Sequence, residues 1–500
     1  MSSASAPLML SVSGCRGIVG KTMSPEIAAR FAMVVGGFFA AHAEPGHPPL
    51  VVLGRDGRAG GDLLARAAAA GLAAAGCDVL DCGVAMTPTI GVVVDARRAA
   101  GGLIVTASHN PQEWNGLKVV AGCRTSDVGC GMSKAAGAQA SAPSRLIADQ
   151  IIARYRAAEK SGAPGVGVDK LGTITLSPQG GEKALGFASE ATNIHVKRVR
   201  EALKELGCVE DRRWQAIKCV VDSVNASGTA GAKALLGGRI VHHLGSSDSG
   251  LFPHAPEPTR DNLATLARFT ADKRADVGFA QDPDADRLAI IDEKGAYIGE
   301  EYTLALAAEA VLGAPTLRVG SGGVVCVNLS TSRMIEDVAA RHGARVVRTA
   351  VGEANVVEAM KRENAIFGGE GNGGVIWPRV TYIRDSLSAM GLILALMTRT
   401  GKTISQLVAE IPSYAIVKRK VDLKHPDDAR RAVESVAAHY SKNSSACIDR
   451  QDGVWVGLDT QRAWLHVRSS NTEPIMRLIA EAPTEGAANA ILDEAARVIG

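Results

Sequence analysis

Aromatic residues make up only 4% of this 500-residue chain. With so few ring faces and no run of lysine or arginine, a nucleic-acid surface of stacking platforms on a basic stripe is excluded. Charge of one sign is missing too. The chain has 55 Lys and Arg against 52 Asp and Glu, a formal net charge of +3. That balance is too mild to imply a polyanionic partner. The nine cysteines are odd in number and form no CxxC pair. Most stand in apolar context, as in Val324-Val325-Cys326-Val327, and read as reduced thiols serving as small hydrophobes. The opening MSSASAPLMLSVSG lacks a basic stretch and a long apolar one, so no signal peptide is expected. The longest apolar helical stretch, Ala389–Met397, is too short to cross a bilayer. These absences lead us to expect a cytoplasmic enzyme with no nucleic-acid or membrane partner. They leave its oligomeric state open.

What the chain has in quantity is glycine, 55 residues, in an otherwise ordinary globular composition with 46% hydrophobic residues. One unit recurs: apolar strand, short polar loop, small-residue helix, Gly, second strand. It is spelled PLVVLGRDGRAGGDLLARAAAAGLAAAGCDVLDCG, then IKCVVDSVNASGTAGAKALLGGRIVHHLG, then GGVVCVNLSTSRMIEDVAARHGARVVRTAVG. Strands alternating with helices imply βαβ units and mostly parallel sheets. Three such units predict three related α/β domains. The C-terminal part differs: GVWVGLDTQRAWLHVRSSNTEPIMRLIAEA alternates like strands, and TEGAANAILDEAARVIG reads as an amphipathic helix with Thr484 as N-cap. That predicts an α+β module beginning near Ile411–Lys418. The small, polar stretch around 122–145 reads as a loop or insertion without chemistry.

Four motifs carry chemistry. In DPDADRLAIID, Asp282, Asp284 and Asp286 recur at every second residue, which in an extended loop puts three carboxylates on one side. Three converging anions need a cation, or one must take up a proton. All-oxygen ligands suit a hard ion such as Mg²⁺. An EF-hand is disfavoured because its sixth position is Arg287 rather than Gly and LAII reads as a strand. In TASHNPQEWNGLKVV, Ser108, His109 and Asn110 follow the buried-strand pattern Leu103-Ile104-Val105, and Lys118 comes ten residues on. A strand-end serine near a metal site can carry a phosphoryl group, with His109 and Lys118 handling the proton of the accepting hydroxyl. GGEGNGG offers Glu370 and Asn372 among glycines that permit close approach to a sugar. RSSNTEP gathers Arg468, Ser470, Asn471 and Thr472, donors able to surround a phosphate. Taken singly, RSSNTEP reads equally well as a solvated polar turn, and GGEGNGG reads better as a Gly-rich turn between strands. TGKT, by contrast, lacks the spacing and preceding strand of a nucleotide loop, and Gly401 reads as a helix C-cap.

TASHNP, DPDADR, GEGNGG and RSSNTEP in this order, with SGCRGIVG, GRDGRAGG and VDSVNASG between and before them, resemble the α-D-phosphohexomutase family. The resemblance covers nearly the whole chain. It implies four domains around a cleft, which we draw at 1–155, 156–300, 301–412 and 413–500. It implies that Ser108 is the phosphorylated serine and, with Asp282, Asp284 and Asp286, a ligand of one Mg²⁺. It likewise implies that Arg16, His109, Lys118 and Arg287 are active-site residues around it. Glu353, Glu370 and Asn372 are expected to bind the sugar, and Arg468, Ser470, Asn471 and Thr472 its phosphate. The implied reaction is reversible phosphoryl transfer between C6 and C1 of a hexose phosphate, with glucose or glucosamine 1,6-bisphosphate as activator. Two departures bear on substrate: Asn372 stands where many members have Ser, and Glu353 where several mannose/glucose enzymes have His. The sugar-loop spelling is most similar to members acting on glucosamine phosphates, with a phosphomannomutase/phosphoglucomutase as the alternative and a metal-dependent sugar-phosphate phosphatase further off.

Overall fold

The computed structural model describes residues 8–43, 47–122, 139–175, 185–207, 211–315, 323–422, 426–469 and 475–499, with 185–189 and 426–427 described by backbone alone. Four sheets organise them. The first holds β1 (Met9–Ser11), β2 (Gly14–Ile18), β3 (Leu50–Arg55), β4 (Asp78–Val84), β5 (Gly101–Val105), β6 (Trp114–Ala121) and β7 (Ile174–Thr175), in the order β1-β2-β6-β5-β3-β4-β7. The second is β11-β10-β8-β9, from β8 (Cys219–Asp222), β9 (Ile240–Leu244), β10 (Val277–Gln281) and β11 (Leu288–Ile291). The third is β13-β12-β14-β15, from β12 (Val324–Asn328), β13 (Arg345–Thr349), β14 (Phe367–Glu370) and β15 (Gly374–Ile376).

One plan underlies these three sheets. The first strand of each recurring unit pairs in parallel with the second strand and with a third, and the third turns back into an antiparallel neighbour. The internal repeat read from the sequence is therefore a repeat of topology. Its three hairpins, β5–β6, β10–β11 and β14–β15, carry the serine, aspartate and sugar-loop motifs respectively. Open α/β sheets place ligands beyond the C-terminal ends of their parallel strands, and each hairpin begins at such an end. Composition supports the arrangement: all five residues of β5 and of β10 are buried, as strands covered on both faces require.

The fourth sheet differs, as expected. β16 (Ala415–Asp422), β17 (Ala446–Asp449), β18 (Val454–Leu458), β19 (Ala463–Ser469) and β20 (Ile475–Ala482) form β16-β20-β19-β18-β17, antiparallel throughout. The helices Pro426–Tyr440 and Glu485–Ile499 share one core with its apolar face. Thr484 caps the second, its Oγ1 accepting from Ala487 N at 3.2 Å.

The largest core runs through the second and third α/β units and is centred on the helix Ser386–Thr400, buried from Ser386 to Thr398. Gly401 ends that helix at φ +68°, its N–H donating to Met397 O, which confirms the C-cap and disposes of a nucleotide loop there. No helix among the described residues is long and apolar enough to cross a membrane. Cys15, Cys77, Cys82, Cys219 and Cys326 are buried free thiols, while Cys447 is exposed. Cys123, Cys130 and Cys208, and most of the 122–145 segment, lie outside the described residues.

Candidate active site

The serine loop is held from beneath. Arg58 is buried and bonded through Nε to Asp56 at 2.8 Å; its other nitrogens donate to Trp114 O at 2.7 Å and to Ser108 O. Thr106 Oγ1 donates to Asp56 Oδ2 at 2.7 Å and accepts from Ser108 N at 2.8 Å. These bonds hold Ser108 at φ +51°, a left-handed conformation that costs a non-glycine residue on the order of 1–3 kcal/mol. The GRDGRAGG motif thus braces the serine. The chain then returns as β6, and cross-strand pairing sets Lys118 opposite Ile104. That return explains the ten-residue interval between Ser108 and Lys118. Arg16, on the next strand, pairs opposite Gly116 and donates to Asn110 Oδ1 at 3.1 Å.

Asp282, Asp284 and Asp286 are fully buried and converge, with one ligand oxygen of each within 4.8 Å of the others. An extended loop is not what brings them together. The chain turns between β10 and β11, with Ala285 at φ +54° and its N–H donating to Asp282 O at 2.9 Å. Two hydroxyls secure the turn from outside: Ser227 donates to Pro283 O and Ser386 to Ala285 O, both at 2.7 Å.

The serine and aspartate loops meet across two α/β units. Ser108 Oγ lies 3.2 Å from Asp282 Oδ2 and 3.3 Å from His109 Nδ1. Lys118 Nζ donates to Asp286 Oδ2 at 2.9 Å and stands 3.6 Å from Asp284 Oδ2 and 3.8 Å from Glu353 Oε2. Arg287 donates its N–H to Asp282 Oδ1 at 3.1 Å, and its side chain lies 3.9 Å from Asp286 and from Glu257. From the third unit come Glu353, first residue of the helix Glu353–Arg362, and Glu370, last residue of β14. The sugar loop is tied directly to the aspartate strand by Leu288 N donating to Gly373 O at 3.0 Å.

Sequence reasoning missed two contributors here. Thr87 Oγ1 donates to Asp284 Oδ2 at 2.7 Å. Arg384 donates to Asp286 Oδ2 at 2.6 Å and to Glu370 Oε2 at 2.8 Å, and its backbone N–H donates to Glu353 Oε1 at 2.9 Å. The only sequence signal was an Arg before the N-cap Asp385, which reads as a solvated turn charge. Asn372 sits in the sugar loop with a buried Oδ1 that has no hydrogen-bond partner among the described residues. Arg468 is the next-to-last residue of β19 in the fourth domain, with Nε 2.9 Å from Asp452 Oδ2, and no bond among the described residues joins it to the Ser108 cluster. Ser470, Asn471 and Thr472 lie outside the described residues.

Electrostatics divide the roles. Burial raises the Asp282 carboxyl well above the usual carboxylate range, and the charges of Asp286 and Asp284 add to this. Burial acts the same way on Asp286, but Arg384, Lys118 and Arg287 outweigh it and hold this group below the usual range. For Lys118, burial opposes charge, yet Asp286, Glu353 and Asp284 push its affinity for the proton up. His109 is driven down to about 3 by burial and by Arg287 and Arg16, so it is neutral at pH 7. A cation fits the carboxylate turn on independent grounds. Asp284 Oδ1 and Asp286 Oδ1 are buried without a hydrogen-bond partner among the described residues, a costly state that an oxygen-seeking divalent ion would relieve.

A brace-held serine facing three converging carboxylates, in a chain of three related α/β units and an α+β domain, defines a cation-assisted enzyme of group transfer. Domain profiles described as phosphoglucomutase/phosphomannomutase domains I, II, III and C-terminal match residues 9–125, 195–295, 300–414 and 417–498. The chain is 33% identical to a phosphoglucomutase/phosphomannomutase of Thermococcus kodakarensis over 96% of both chains. It is 28% identical to a phosphoglucosamine/phosphogalactosamine mutase of Sulfurisphaera tokodaii, covering 97% of this chain and 98% of that one. The crystal structure of a phosphoglucomutase/phosphomannomutase family protein from Burkholderia thailandensis has the same fold, with a TM-score of 0.78 at 24% identity over 98% of both chains. The chain belongs to the phosphoglucomutase/phosphomannomutase family, the α-D-phosphohexomutases, and is a phosphohexomutase.

Proposed function

We propose that Ser108 is the phosphoryl carrier of a mutase that interconverts glucosamine 6-phosphate and glucosamine 1-phosphate. The observation that carries this is the 3.2 Å approach of Ser108 Oγ to Asp282 Oδ2, which sets a hydroxyl beside a cation-seeking turn. In the forward step, the bond between Ser108 Oγ and phosphorus breaks and a bond from phosphorus to the free sugar hydroxyl forms. The proton of that hydroxyl ends on the departing Ser108 Oγ, relayed by His109, whose Nδ1 lies 3.3 Å from it. Lys118 keeps its charge and acts as a fixed cation at the carboxylates. The sugar 1,6-bisphosphate turns over, and its other phosphoryl group returns to Ser108. Glucose or glucosamine 1,6-bisphosphate recharges serine that has lost its phosphate. Mg²⁺, held by Asp282, Asp284 and Asp286, supplies charge neutralisation for the transferring group. Glu370 and Asn372 hold sugar hydroxyls, Asn372 through the Oδ1 that has no partner among the described residues. Arg468, with Ser470, Asn471 and Thr472, holds the phosphate that is not reacting.

The glucosamine assignment is supported by two carboxylates, Glu353 and Glu370, near the sugar loop, and by the aminosugar named for the Sulfurisphaera relative. A phosphomannomutase/phosphoglucomutase is the second reading, favoured by the pairing of both carboxylates with Arg384 and by the Thermococcus relative's name. Incubation with glucosamine, glucose and mannose 1-phosphates in turn, with Mg²⁺ and bisphosphate, decides between them by product. Isomer identifies a mutase; free phosphate as the sole product identifies a phosphatase and overturns the proposal.

A further inference from the structure

We propose that Arg384 is the positioning residue of the cleft, fixing where Glu353 and Glu370 stand relative to Asp286. The inference rests on the reading of Asp286 as facing the cation and the two glutamates as facing the sugar.

Three observations carry it. Arg384 donates to a carboxylate from each of three separate segments: Asp286 at 2.6 Å, Glu370 at 2.8 Å and, through its backbone N–H, Glu353 at 2.9 Å. Its Nε is also 3.5 Å from Glu353 Oε2. Lys118 meets two of the same groups, so Lys118, Asp286, Arg384 and Glu353 form a ring of alternating charge contributed by the three α/β units. The forked guanidinium does what an ammonium cannot, directing separate donors at separate carboxylates from one plane.

The backbone of Arg384 is itself fixed. Asp385, next in the chain, donates its N–H to Val375 O at 2.8 Å and caps the helix Ser386–Thr400 by accepting from Leu387 N and Ser388 N. The Asp385 carboxylate also meets His195 Nε2 at 3.1 Å, in full burial.

The third observation is a glycine. A Cβ at Gly374, the last residue of the GGEGNGG motif, would fall 2.3 Å from Arg384 Cδ and 3.1 Å from its Cγ. No positive φ demands glycine at this position. Its missing side chain is the channel through which the arginine stem crosses β15 to reach the carboxylates.

Gly374 provides a test that removes no charge. Gly374→Ala obliges the Arg384 stem to move and leaves every ionisable group in place. Arg384→Lys keeps the charge and loses the fork. Both variants are expected to fold, by circular dichroism, with kcat/KM for the hexose phosphate lowered about 10- to 100-fold, the usual cost of disturbing groups that orient a metal site. In an Arg384→Ala background, Gly374→Ala should cost far less than it does alone, keeping only what its 3.1 Å approach to Asn372 Oδ1 adds, because its main effect acts through the arginine. Mn²⁺ affinity without substrate, read by electron paramagnetic resonance, should weaken in Arg384→Lys and stay unchanged in Glu370→Gln. Wild-type kinetics in both single variants, multiplying losses in the double variant, or unchanged Mn²⁺ affinity in Arg384→Lys each overturn the inference. If the wild type isomerises no hexose phosphate, it is the proposed function that fails, and the Mn²⁺ measurement still judges Arg384.

Discussion

Ser108 Oγ and Asp282 Oδ2 are 3.2 Å apart, although 174 residues separate them in the chain. The two belong to hairpins of equivalent topology in successive α/β units, one presenting a hydroxyl and the other carboxylates. Repetition of one fold thus supplies both halves of the proposed phosphoryl-transfer site, facing each other.

Replacing the hydroxyl tests this most directly. The loop around Ser108 is held through backbone atoms, by Arg58 at Ser108 O and by Thr106 at Ser108 N, so Ser108→Ala should keep the fold. Mutase turnover should fall by at least a thousandfold, because a covalent carrier has no substitute. Intact mass should show one phosphate on the wild type after incubation with bisphosphate and none on the variant. Near-normal activity in Ser108→Ala would remove the serine from the mechanism.

Asp284 offers a second test. Its Oδ2 accepts from Thr87 Oγ1 at 2.7 Å, while its Oδ1 is buried without a partner among the described residues. Asp284→Asn keeps the shape, the Thr87 bond and nearly the volume, but removes one charge from the carboxylate turn. Mg²⁺ affinity and turnover should fall together, each about 10- to 100-fold. A chelator should silence the wild type, and added Mg²⁺ should restore it. Activity that survives chelation would leave the three aspartates without a cation role.

These groups show where sequence reading succeeds. The three βαβ units were legible because burial on both faces of a parallel strand leaves apolar runs such as Leu103-Ile104-Val105. Asp282, Asp284 and Asp286 were legible because the cation role proposed for them puts three like charges close in the chain. Their convergence was read correctly for an incomplete reason, since the turn at Ala285 does the work assigned to strand alternation. Arg384, Arg58 and Thr87 were not legible. Their partners are 98, 50 and 197 residues away, and no local periodicity records what a side chain meets so far along the chain. Gly374 was read only as one of the glycines that let a sugar approach, when its absent side chain makes room for Arg384.

A pH effect on stability follows from His254, whose Nε2 meets Asp222 Oδ2 at 2.9 Å. That hydrogen bond raises the imidazole's proton affinity above its ordinary value, against the opposing effect of burial. A group whose pKa is raised on folding contributes stability that is full below its unfolded pKa, about 6.5 for histidine, and is lost as pH rises through the folded value. The gap in thermal midpoint between wild type and His254→Asn should therefore be widest at acidic pH and narrow toward pH 9. Midpoints measured across that range that stay parallel would show that the pair does not titrate on unfolding.

The choice of sugar turns on Glu353. Glucosamine and glucose phosphates differ at C2, an ammonium or amine against a hydroxyl. A carboxylate acceptor favours the ammonium, since hydrogen bonds to charged groups contribute about 1.5–3 kcal/mol. In the structure this carboxylate is already engaged: Oε1 accepts from Arg384 N, and Oε2 lies 3.5 Å from Arg384 Nε and 3.8 Å from Lys118 Nζ. Replacing it therefore disturbs the charge ring as well as any contact to C2, and both substrates should suffer. The ratio between them carries the information. If Glu353 selects the aminosugar, Glu353→His should lower kcat/KM for glucosamine phosphate beyond its effect on glucose phosphate by about 1–2 kcal/mol, roughly five- to thirtyfold. Glu353→Gln keeps an acceptor for Arg384 N and removes the charge, so it should shift the ratio in the same direction. Glu370→Gln should lower every activity alike, because its position suits hydroxyls common to all these sugars. Both substrates are to be compared on each protein at one pH and one Mg²⁺ concentration. Equal losses in Glu353→His, or a wild type that prefers glucose or mannose 1-phosphate, would mean that Arg384 and Lys118 consume the charge of Glu353, and the substrate would then be a neutral hexose phosphate.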